Sequence, residues 1–384
     1  MGFDPSTGRI GHPTYMPEKE LAVRVHYVHS VWTEENMQRW RSLVIAIVGL
    51  SLLISSASAT SHKQTLPCNH FVDNDASLDG DGSEAHPWDN IAGHVDDLVP
   101  GDVMCIRGNT SDPGRVYDTA TIELKQDGAA DEPITIRPYP GERVIVRNAG
   151  GGSLMFFDGV GYWVVEGLVL DNNDDGCRAI VLDEGSHHNV LRDNEIRNGK
   201  TDGITLLRNS PDNTIENNYI HDFLCPDLSL DAHCVLIHVK SDNTIIRQNT
   251  IHDCSGDGVQ LIGDVGDDPS DNVQITDNTF YRGTYTRAES AVAVKACANL
   301  RVANNRMFGY YDYSAVTMIK ASSNALFENN IIHGSLRGFN IHAKEGGHPE
   351  GLTLRNNLIY DITEYAVQFS GVENGKFVHN TIVN

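Results

Sequence analysis

Six side chains in this 384-residue chain have the types and spacing for proton transfer and cation binding. Lys295 sits in the run Ala-Val-Ala-Val-Lys-Ala-Cys-Ala, residues 291–298. Small neighbours leave room around its amine, and Ile262 and Ile319 in the flanking repeats would lower its pKa toward that of a general base. His233 and His238 bracket a short apolar stretch and are assigned to catalysis beside Lys295. Asp202, Asp257 and Glu289 are hard oxygen donors, the type that binds a cation such as Ca²⁺. The same residues also suit a solvated face, and Gly256-Asp257-Gly258 is also an ordinary turn sequence.

What must position these groups is a repeat. Asn194, Asn218, Asn249, Asn278, Asn305, Asn330, Asn357 and Asn380 each follow a polar residue and precede an apolar word. Successive intervals are 24, 31, 29, 27, 25, 27 and 23 residues, a solenoid period. Around each Asn run short alternating segments, such as Gly258-Val259-Gln260-Leu261 and Asn272-Val273-Gln274-Ile275, bounded by turn residues. One repeat cannot bury its apolar face alone, so repeats stack. The fold class is all-β: a single-stranded right-handed parallel β-helix, its coils about 4.8 Å apart, with a short N-terminal capping helix over 91–98. Buried side-chain amides need partners, so the Asn column reads as a structural ladder rather than a site.

Alignment on the first strand of each repeat points Ile204/Leu206, Val235/Ile237, Val259/Leu261, Val292/Val294, Val316/Met318 and Phe339/Ile341 inward. One outward column is Thr205, Leu236, Gln260, Ala293, Thr317, Asn340; the next is Leu207, His238, Ile262, Lys295, Ile319, His342. Asp202, His233 and Asp257 stand just before the strand, with Glu289 one residue off register. His238 and Lys295 would lie two coils apart, about 10 Å, with room for a sugar ring between them. His221-Asp222 over His252-Asp253 has the residue types of a metal site, but Ile-His-Asp is part of the repeat and reads as packing.

The formal net charge of −23 argues against nucleic-acid and anionic-membrane partners. Arg39 and Arg41 precede the apolar run Leu43 to Ile54, and Ala57-Ser58-Ala59 fits a cleavage site. The expected organisation is an extension plus signal peptide over 1–59 (true start at Met37), a cap and first coils over 60–145, and repeats over 146–384 that stop short of a finished solenoid. The cleaved product would be exported, with no lasting membrane insertion. Cys68 and Cys105 would clip the N-terminal region. Two of Cys225, Cys234 and Cys254 would meet, the pairing left open.

The segment from 69 to 145 combines an Asp/Gly-rich turn, His86-Pro87-Trp88, Pro100-Gly101-Asp102, Pro133-Ile134-Thr135-Ile136 and Pro140-Gly141-Glu142. With the repeats, it resembles secreted right-handed β-helix proteins of the pectate-lyase-like superfamily. That resemblance implies a polysaccharide partner and β-elimination on a uronate-containing glycan. Lys295 would be the base, His233 or His238 would assist, and Asp202, Asp257 and Glu289 would hold Ca²⁺. A glycoside hydrolase or C5-epimerase on the same fold is the enzyme alternative, and a non-catalytic surface or adhesion β-helix the other class. Oligomeric state is not legible.

Overall fold

The computed structural model describes residues 66–76, 80–207, 209–227, 230–263, 266–283 and 288–383. The expected leader and the cleavage point after Ala59 lie outside them.

Each coil runs through short parallel strands that stack into three ladders. The first ladder has twelve strands, from His70–Val72 to Lys376–Val378. The second runs from Arg115–Thr119 to Thr381–Val383. The third begins at Ile122–Leu124 and includes Ile204–Leu206, Val235–Ile237, Val259–Leu261 and Val292–Val294. The last two ladders join in one 19-stranded sheet, because Ile331–His342 and Leu358–Ser370 continue unbroken through the bend between them. The apolar word after each Asn is therefore itself a strand, as at Thr279–Tyr281.

The bend between the first two ladders explains the repeated Asn word. The residue before each ladder asparagine, from Asp193 to His379, has φ between 54° and 59°. Short polar side chains tolerate this left-handed conformation best, and Asn or Asp fills most of these positions. The asparagine itself turns inward. Asn278 Nδ2 donates to Ile246 O (2.9 Å) and Asn305 Oδ1 (3.0 Å), while its own Oδ1 accepts from Asn249 N (2.9 Å) and Asn249 Nδ2 (3.0 Å). The same bonds link Asn194 through to Asn380. Every buried amide is thereby paired with the coil on either side.

Inside, Ile196, Ile220, Ile251, Phe280, Met307, Ile332 and Ile359 follow the ladder and are fully buried in one continuous core. Cys68–Cys105 clips the first strand to the second, and Cys234–Cys254 ties adjacent coils, while Cys177, Cys225 and Cys297 stay as thiols. The expected capping helix shrinks to one 3₁₀ turn, Val95–Asp97. Gly93 interrupts the segment and Asn90 Oδ1 takes its amide at 2.7 Å. Ile91, Val95 and Leu98 still anchor the segment in the core.

Asn278→Ala strands the Ile246 carbonyl and the Asn249 amide in a dry interior. It should cost about 2–4 kcal/mol in denaturant unfolding, against about 0.5 kcal/mol or less for Gln274→Ala at an exposed strand position.

Candidate functional site

The outward column expected from the sequence is present strand by strand. Thr205 pairs with Leu236, Leu236 with Gln260, Gln260 with Ala293, Ala293 with Thr317, and Thr317 with Asn340. In the next column the amides of His238, Ile262 and Lys295 donate to Leu206 O, Ile237 O and Leu261 O, which places them in consecutive coils. An outward residue on a solenoid wall normally meets water, yet Gln260 is 4% and Ala293 7% exposed. Thr317 and Asn340, in the coils that follow, are half-buried. Lys295 stands where the face passes from covered to open.

At the start of these strands, Asp202, His233 and Asp257 form one buried line. Gly203 N donates to His233 O and Cys234 N to Asp257 O, so the three are register neighbours. Asp202 Oδ1 accepts the His233 amide (3.0 Å), and its Oδ2 accepts from Arg178 Nε (3.2 Å). His233 Nδ1 accepts the Asp257 amide at 2.9 Å. That nitrogen cannot also donate, so its 3.5 Å approach to Asp257 Oδ2 is proximity and not a hydrogen bond. Asp257 Oδ1 accepts the Ser290 amide (2.9 Å), and Oδ2 accepts from Gln260 Nε2 (2.8 Å). Gln260 Oε1 in turn accepts from Lys295 Nζ at 3.4 Å. The result is a hydrogen-bonded path from His233 through Asp257 and Gln260 to Lys295.

Gly-Asp-Gly here is more than a turn. A Cβ on Gly256 would meet His233 Nδ1 at 2.6 Å, and one on Gly258 would meet Ala291 O at 2.7 Å. The two glycines let a histidine ring and a neighbouring strand close on Asp257 from both sides. Burial pushes the Asp257 carboxyl above its usual range, opposed by His233, the Ser290 amide, Gln260 and Lys295.

The expected cation site does not assemble. Both oxygens of Asp202 and Asp257 already accept from N–H donors, which leaves no shared carboxylate cage. Ser290, not Glu289, takes the column position next to Asp257. Among the described residues, no group of three or more His, Cys, Asp or Glu side chains is placed to hold a metal ion. His238 shares the Lys295 column, with Ile262 between them. The histidines of the second ladder join a stack, His221–His252–Tyr281–Phe308–His333–Tyr360, with centroids 4.4–5.4 Å apart. The Nδ1 atoms of His221 and His252 bond Asp222 (2.8 Å) and Asp253 (2.9 Å), each the next residue, rather than converging on an ion.

Gln260 is the group that sequence reasoning placed in a column without assigning it a role. Its signal is position: it is the outward residue of the strand that Asp257 opens.

A family model described as right handed beta helix region matches residues 228–384. The parallel ladders agree with it along the rest of the described chain. The described residues fold as a right-handed parallel β-helix. A second family model, periplasmic copper-binding protein (NosD), matches residues 142–284 of this β-helix protein. Among solved structures it resembles the pectate lyase Pel9A, at 15% identity over 80% of this chain and 78% of that one, TM-score 0.58. It also resembles an alginate lyase from Paenibacillus sp. str. FPU-7, at 15% identity over 74% and 96%, TM-score 0.55. A complex of XylC with xylose aligns at 11% identity over 79% and 86%, TM-score 0.50. At such identities the likeness is one of fold. No curated protein matches the sequence. No helix among the described residues is long and apolar enough to cross a membrane.

The raised Asp257 carboxyl has a signed consequence. The fold favours its protonated form, so its contribution to stability is full below the ordinary carboxylate range and is lost as pH rises through the folded-state value. Denaturant midpoints measured against pH should show that loss in the parent protein and a flatter profile in Asp257→Asn. Identical profiles would mean that Asp257 is ionised in the fold.

Proposed function

We propose that this protein is an exported carbohydrate-active enzyme that cleaves a uronate-containing polysaccharide by β-elimination on the outer face of the third ladder. The observation that carries the reading is the place of Lys295: its amine lies at the edge of the open face, tethered through Gln260 to a buried carboxyl. Lys295 in its amine form takes the proton from C5. The electron pair closes the C4–C5 double bond, and O4 leaves with the next sugar. Gln260 and Asp257 hold the lysine in place. His233 orients Asp257, and His238, two coils away in the same column, assists at the leaving side.

Lys295, whose amine bonds a neutral amide and not a carboxylate, supports an anionic substrate locally in spite of the overall −23. The open part of this face also carries His342 and Lys344, the lysine 3.8 Å from Glu345. Burial first, then Lys344 and Arg337, hold His342 below its usual range, so it presents a neutral imidazole at neutral pH. Thr317 and Asn340 add a hydroxyl and an amide for the uronate carboxylate. Asp202 and Asp257, expected to hold Ca²⁺, already accept from N–H donors, so the elimination is written without a cation bound to them. The two disulfides suit an oxidising compartment.

A glycoside hydrolase is the second reading, favoured by the raised Asp257 carboxyl, which has the protonation state of a general acid. One assay separates the two. The protein is incubated with pectate, alginate and glycosaminoglycans, with and without added Ca²⁺. A lyase yields the ultraviolet absorbance of an unsaturated uronate, and a hydrolase yields new reducing ends without it. Lys295→Ala should lower lyase turnover by about 10²-fold or more with an unchanged circular-dichroism spectrum. Full activity in that variant would refute the assignment.

A further inference from the structure

On the outer face of the second ladder, a hydroxyl, an imidazole and a carboxylate stand in line. Tyr219 Oη is 2.8 Å from His252 Nε2, and His252 Nδ1 is 2.9 Å from Asp253 Oδ2. The carboxylate oxygen accepts, so Nδ1 carries the ring proton and Nε2 turns its lone pair to the Tyr219 hydroxyl. Each member is held. Asp253 has φ 51°, and its other oxygen accepts the Gly283 amide at 3.0 Å. The His252 ring is clamped between His221 (5.1 Å, 4° between planes) and Tyr281 (4.4 Å, 15°). Burial, and then the neighbouring Tyr219 hydroxyl, push the Tyr281 phenol up to about 12, so it keeps its proton.

The exposure pattern is that of a reactive group with covered support. Tyr219 is 40% exposed, while His252 and Asp253 are buried. Beside them, His221 Nε2 is buried without a hydrogen-bond partner, its contact with Glu195 Oε1 being 3.6 Å. The His221 imidazole does most to hold Glu195 down, to about 2, against burial and with help from Arg197 and Arg143.

We propose that Tyr219, His252 and Asp253 form a second reactive site, with Tyr219 Oη as the reacting atom, for an uncharged protic ligand such as a sugar hydroxyl. The geometry is that of an activated nucleophile or proton relay, in which a hydroxyl faces a base that a third group orients. Tyr219 passes its proton to His252 Nε2, and its oxygen accepts the proton of the ligand hydroxyl; the reverse transfer restores the site. An anionic ligand is disfavoured. Glu195 is the register neighbour of Tyr219, Asp222 and Asp253 hold the two histidines beside it, and Arg143 and Arg197 are already spent on Glu195. This site stands apart from the Lys295 reading, which calls for an anionic ligand.

An aryl sulfonyl fluoride tests the site without a known substrate. The Tyr219 Oη–S bond forms, the S–F bond breaks, fluoride leaves, and the phenolic proton goes to His252. Peptide mapping should find Tyr219 labelled on the order of tenfold faster than Tyr311 and Tyr365, although those are 60% and 56% exposed. His252→Gln and Asp253→Asn should each bring Tyr219 to the Tyr311 rate while Tyr311 and Tyr365 keep theirs, which reports an intact fold. Labelling of Tyr219 no faster than Tyr311, or unchanged in both variants, would overturn the proposal. A neutral xylo-oligosaccharide, and not an oligogalacturonate, should slow the reaction; any other pattern overturns the ligand class.

Discussion

A buried side-chain amide with no water to bond must find its partners in protein. In this β-helix the partners are the coils above and below. Each ladder asparagine accepts from the coil before it and donates to the coil before and the coil after, so no coil can slip by one residue without breaking bonds on both sides. A one-residue slip would also turn the isoleucine core outward. The asparagines therefore set the register, and all the surface chemistry depends on that register.

Given the register, each outer face becomes a set of single-file columns about 4.8 Å apart. The first ladder alternates charge, as in Glu166–Arg192 and Glu216–Arg247. The second stacks rings from His221 to Tyr360. The third lines up Asp202, His233 and Asp257 and then opens at Lys295. Residues far apart in sequence become neighbours at van der Waals range, so a −23 protein still places a lysine on one face and a row of imidazoles and carboxylates on another.

The columns were legible because they follow from period and alternation alone. The Asn words, the inward pairs and the Thr205-to-Asn340 column need no tertiary knowledge. Other features turned on backbone geometry that spacing does not carry. Asp202 and Asp257 have the composition of a cation site, yet backbone amides from the next coil reach their oxygens first. The 91–98 segment has helical apolar spacing, but Gly93 and the Asn90 cap leave only a 3₁₀ turn. The Ile-His-Asp words do belong to the repeat. What the sequence pattern could not say is that a left-handed Asp253 folds its carboxylate back on His252, while Tyr219, from the coil before, meets the other nitrogen.

Side-chain amide hydrogen exchange tests the ladder and the site together. The Nδ2 protons of Asn218, Asn249, Asn278, Asn305 and Asn330 should exchange only with unfolding of their coils, and the Gln260 amide, held against Asp257, should share that protection. Exposed Gln248 and Gln274 should exchange freely. Ladder amides that exchange as fast as Gln248 would contradict the account, because the asparagines could not then be what sets the register that brings Lys295 to Asp257.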